Sequence, residues 1–122
     1  MSVSVRYLVH DVPAAVAFYR DALGFTLKQQ FGPAMAILEH GGLQLWLAGP
    51  PSSAAKPMPD GRQPEPGGWN RFVLEVADLD ALVTRLRATG TPFRNDILDG
   101  PGGRQILAED PSGNVIELFE PR

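Results

Sequence analysis

Cysteine is absent from the 122 residues, which removes disulfides, thiolate metal ligands and thiol nucleophiles together. Long apolar runs are missing too: no stretch approaches the roughly 20 residues needed to span a bilayer. The segment Met1–Val12 has neither a long apolar core nor a small-residue cleavage site, so a cytoplasmic location and no membrane partner are expected. Basic residues are scattered, and the formal charge is −3. Nucleic acid is bound through a basic face that neutralises phosphates, so no nucleic-acid partner is expected. What remains, 43% hydrophobic and 20% charged residues, is the composition of a globular chain able to bury a core unaided.

The chain carries a weak internal repeat. Val5-Arg6-Tyr7-Leu8-Val9-His10-Asp11-Val12 aligns with Phe72-Val73-Leu74-Glu75-Val76-Ala77-Asp78-Leu79. In both, apolar residues alternate as in a half-buried strand, and an Asp stands where a helix would begin. Val12, Val16, Tyr19 and Leu23 recur at helical spacing in the first half, with Pro13 at the entry, and Leu79, Leu82, Val83 and Leu86 do so in the second. Gly24 and Gly90 supply the stops.

Three extended stretches follow each helix: Phe25–Phe31, Ala34–Glu39 and Leu43–Leu47, then Pro92–Leu98, Arg104–Glu109 and Asn114–Phe119. Gly41-Gly42 and Asp110-Pro111-Ser112-Gly113 are turns. The expected class is therefore α+β, with one βαβββ module over about 1–49 and another over about 69–122. Between them, Pro50–Gly68 holds six of the twelve prolines and no apolar period, so it reads either as a mobile linker or as a functional lid.

Two segments carry a family resemblance. Ala17-Phe18-Tyr19-Arg20-Asp21-Ala22-Leu23-Gly24-Phe25 resembles the first module of the vicinal-oxygen-chelate superfamily, the glyoxalase/bleomycin resistance/dioxygenase fold, and Glu109-Asp110-Pro111-Ser112-Gly113-Asn114-Val115-Ile116-Glu117-Leu118 resembles the second. The likeness covers nearly all of the chain except the linker, and its nearest members are the metal-free ones of the bleomycin-resistance type. It implies a single domain over 1–122 of two curved mixed sheets, each with its helix on the convex face, enclosing a concave pocket. It also implies a homodimer with shared pockets and a small-molecule ligand.

Metal-dependent members of that superfamily take ligands from four positions, which fall here on Ser4, Gln44, Arg71 and Glu117. Strand alternation turns all four away from the helices. Arg71 has no lone pair to offer and cannot deprotonate, so no metal and no cofactor are expected. An Arg71–Glu117 pair is expected instead. It either merely neutralises two charges or also offers guanidinium donors to a ligand.

The same alternation puts Arg6, Trp46, Glu75 and Phe119 on the pocket side, with Trp69 and Asn70 at its mouth and Arg104 beside a Gly-rich turn. Trp46 and Phe119 either stack on a flat ligand or fill space at a cavity or dimer contact. Glu75 is either a general base or the partner of Arg6 or Arg104. His10 and His40 read as surface or capping residues. Three functions fit these residues: a metal-free binding protein for a partly aromatic, neutral or anionic ligand, a lyase- or dioxygenase-like enzyme, or a scaffold with a vestigial pocket. Ligand contacts are expected from Arg6, Gln44, Trp46, Trp69, Arg71, Glu75, Arg104, Glu117 and Phe119.

Overall fold

A computed structural model describes all residues from Met1 to Arg122. They form two compact units, Met1–Gly67 and Gly68–Arg122, so the Pro-rich segment belongs to the first. In that unit, strand β1 (Ser4–Leu8) leads into helix α1 (Val12–Ala17), and strands β2 (Thr26–Phe31), β3 (Met35–His40) and β4 (Leu43–Ala48) follow. The second unit runs β5 (Val73–Glu75), α2 (Leu79–Ala88), β6 (Leu98–Asp99), β7 (Gly103–Glu109) and β8 (Val115–Pro121). Each builds one mixed sheet, ordered β1-β4-β3-β2 and β5-β8-β7-β6, in which the first strand lies parallel to the last. This is the α+β arrangement expected from the repeat.

The helices start where the sequence places their caps. The Asp11 carboxylate accepts from the Ala14 N–H at 3.1 Å, and Asp78 accepts from the Ala81 N–H at 3.0 Å. α2 ends in a Schellman motif: the Thr91 N–H reaches the Leu86 carbonyl at 3.0 Å, and Gly90 takes φ +85° between them. α1 departs from its expected length. After Ala17 the chain widens into a π-helical turn, Phe18–Ala22, which seats Tyr19 in the core edge-to-face with Phe25 at 5.4 Å.

Alternation sets the burial of most strand positions, while Ala48, Leu107 and Val115 are buried out of phase. Tyr7, Val9, Leu38, Leu45 and Leu47 face α1, and Leu74, Ile106, Ala108, Ile116 and Leu118 face α2. Their neighbours in sequence fall on the open face. The long connection of the first unit is held by its own bonds, since Gln63 Nε2 donates to the Ala55 carbonyl at 2.6 Å and the Met58 N–H donates to the Arg62 carbonyl at 2.8 Å. No helix is long and apolar enough to cross a membrane.

One expected strand is largely replaced. Pro92–Leu98 keeps a single bridge, Phe93 to Ala108, and the ladder resumes only at Leu98–Asp99. The Asn95 side chain accepts from the Leu107 N–H at 2.9 Å, taking the donor that a continuous ladder would use.

Replacing Asp78 by Ala removes one of the two helix caps without touching the core. The expected cost is ~1 kcal/mol, read as a lower urea midpoint at unchanged slope.

Candidate functional site

In the first unit the open face is built in rungs. Ser4, Gln44 and Glu39 are register partners, and Arg6, Trp46 and Ile37 form the next rung. On the first rung the Ser4 hydroxyl donates to Gln44 Oε1 at 3.2 Å. On the second, the Arg6 guanidinium lies over the Trp46 ring, 5.1 Å from its centre. Ser2, Ser4, Arg6 and Trp46 line a cavity of about 330 Å3. Glu39 is the carboxylate of this wall that alternation, applied only to β1 and β4, did not bring into view.

In the second unit Arg71 precedes β5, and its guanidinium reaches Glu117 on β8. Nε and Nη2 both donate to Glu117 Oε1, at 3.1 and 2.9 Å. The expected ion pair is thus formed, with the Arg71 and Glu117 side chains 30% and 13% exposed. The repeat is not exact here. Ser4 is the register partner of Gln44, whereas Val73 and not Arg71 is that of Glu117. A two-residue offset preserves the face, and the length of the arginine side chain spans it. Glu75 and Phe119 form the next rung on the same face.

Trp69 is two-thirds exposed, yet it is not loose. Arg94 lies over its ring at 4.5 Å while donating to Glu109 Oε2 at 2.8 Å, to the Gly68 carbonyl at 2.6 Å and to the Gly113 carbonyl at 2.9 Å. One half-buried guanidinium thus ties the start of the unit to the β7–β8 turn and seats Trp69. Arg94 escaped notice in the sequence because it sits in the stretch read as a strand, and nothing local announces its distant partners.

Arg104 belongs elsewhere. It was grouped with the pocket, but the structure turns it to the helix side, where Nη1 and Nη2 donate to Asp80 of α2 at 2.7 and 2.9 Å and Glu120 lies within 3.8 Å. Glu75, read as a general base or as the partner of Arg6 or Arg104, stands on the opposite face from Arg104 and is exposed. The turn before Arg104 is fastened rather than free, since Arg122 bonds Asp99 and the Gly100 carbonyl. Of the two histidines, His40 ends β3 with its ring 5.0 Å from that of Phe25, and His10 lies exposed ahead of α1.

The donor set does not fit a divalent ion. Ser4 and Gln44 are neutral and bonded to each other. Glu117 is covered by a permanent cation. An ion at ~4 Å from that guanidinium would meet a repulsion of about 4 kcal/mol per unit of its charge at an effective dielectric of about 20.

Comparison with known proteins agrees with this architecture. The profile of the glyoxalase/bleomycin resistance protein/dioxygenase superfamily matches residues 3–118. A bleomycin resistance protein of Geobacillus stearothermophilus is 27% identical over 119 residues, covering 92% of this chain and 90% of its own. An antibiotic-binding protein from Streptomyces sp. CB03234 superposes with TM-score 0.69 at 27% identity, over 100% of this chain and 98% of its own. A lactoylglutathione lyase from Agrobacterium tumefaciens shares the fold, with TM-score 0.74 at 24% identity over 98% and 92% of the two chains.

Two outcomes follow from these contacts. Arg71→Ala leaves the largely buried Glu117 unpaired and should destabilise the protein by ~1–3 kcal/mol, whereas Arg71→Ala combined with Glu117→Leu should recover part of the loss, both read from urea midpoints. The hydrogen bonds from Arg104 hold the Asp80 carboxyl below the ordinary aspartate value, against a smaller opposing effect of burial. A lowered folded pKa contributes stability at neutral pH that is lost as pH falls through it. Asp80→Asn should therefore be less stable than the unmodified protein at pH 7, and the gap should close in strong acid. A gap independent of pH would show that the charge is not responsible.

Proposed function

The chain belongs to the glyoxalase/bleomycin resistance protein/dioxygenase superfamily, and from that premise we propose that it binds a small, partly aromatic, neutral or anionic molecule without a metal ion, as a homodimer. The observation that carries this reading is the Arg71 guanidinium lying on the Glu117 carboxylate. It neutralises the one acidic ligand position by a group that cannot coordinate, and so argues against the metal chemistry of enzymatic relatives.

The side chains of the open faces suit such a ligand. Trp46 and Phe119 provide flat apolar surface, and Arg6, which has no ion-pair partner, disfavours a cation beside it. The relatives named for bleomycin resistance and antibiotic binding support a binding role over catalysis. Trp69, Val73 and Leu98 expose apolar surface that pairing of two chains would cover.

The test joins three measurements on protein purified without chelator. Elemental analysis should find no stoichiometric divalent ion, and sedimentation should give a dimer. In a thermal-shift screen of small aromatic acids, antibiotics and divalent metals, at least one organic compound should raise Tm. At a hundredfold excess over Kd the stabilisation is about 2.7 kcal/mol, and a few degrees is the scale to look for. A tightly held stoichiometric metal would overturn the reading.

A further inference from the structure

The Trp46 indole is the one place where a buried side-chain polar atom has no partner: its Nε1–H is closed to water and finds no acceptor. Such a donor normally costs ~1–3 kcal/mol. Two neighbouring observations say what would relieve it. The cavity of about 330 Å3 opens beside the same side chain. Arg6, on the same rung, is stacked on the indole and has no ion-pair or hydrogen-bond partner in its unit. A stacked guanidinium spends its face on the ring and keeps its N–H groups, which lie in its plane, for another acceptor.

The geometry points to an acid-recognition subsite in the first unit, in which Arg6 and Trp46 Nε1–H together receive the carboxylate of a planar aromatic acid. The inference rests on the binding reading above and names the chemical class of the ligand. Ser4, bonded to Gln44, also lines the cavity, and Glu39 lies on the Ser4–Gln44 rung, two residues along the strands from Trp46. The carboxylate therefore sits nearer the free cation than the fixed anion. A turn of the indole that brought its N–H to the cavity would exchange an unpaired donor for a charge-assisted bond.

Calorimetric titration with 2-naphthoate and its neutral counterpart 2-naphthamide tests this. The acid should bind the unmodified protein at least about tenfold more tightly than the amide, the scale of one charge-assisted hydrogen bond. Arg6→Gln should abolish that preference. Trp46→Phe, which keeps a ring and removes the donor, should weaken the acid by about tenfold. In 15N-labelled protein the Trp46 indole resonance, identified by its loss in Trp46→Phe, should move downfield on adding naphthoate. Equal affinity for acid and amide, unaffected by Arg6→Gln, would overturn the subsite while leaving the binding reading intact. Naphthoate binding with an unmoved indole resonance would remove Trp46 from it. If neither probe binds, the subsite is rejected, and the thermal-shift screen decides separately whether the binding reading survives.

Discussion

Each sheet is covered by a helix on one face, and a strand places successive side chains on opposite faces. The packing of Leu45 and Leu47 against α1 therefore turns Gln44 and Trp46 the other way, and Ile116 and Leu118 do the same for Glu117 and Phe119. The core and the candidate site are two readings of one alternation. A shift of register by one residue would exchange them, burying Arg71 and Glu117 under a helix and exposing the leucines.

That dependence explains why so much could be read from the chain. Caps, glycine stops and turns are local: Asp11, Asp78, Gly24, Gly90 and the Asp110–Gly113 turn act through neighbours a few residues away. Alternation then carries local order into faces, and with the ligand positions that the family resemblance implies it made the Arg71–Glu117 contact legible although its partners are 46 residues apart.

What stayed illegible depends on contacts that no short pattern records. Pro92–Leu98 stands where the repeat calls for a strand, but Asn95 supplies the bond that a neighbouring backbone would have supplied. Arg94 gathers Glu109, Gly68, Gly113 and Trp69 from three places in the sequence. Arg104 looked like part of the pocket because it follows a Gly-rich turn, and only the position of Asp80 on α2 shows which face it serves. The widening of α1 at Phe18 is likewise a matter of seating Tyr19 against Phe25. Side chains replacing backbone, and long arginines choosing among several carboxylates, are decided by the finished packing.

The Arg71–Glu117 pair has one more consequence. A carboxylate that waits for a divalent ion is completed from outside, so its state follows trace-element supply and every competing chelator in the cell. Here the countercharge is translated with the chain and arrives on Glu117 as the second unit folds. The Glu117 carboxylate thus takes its countercharge from within its own unit, supplied with the chain at synthesis rather than collected afterwards.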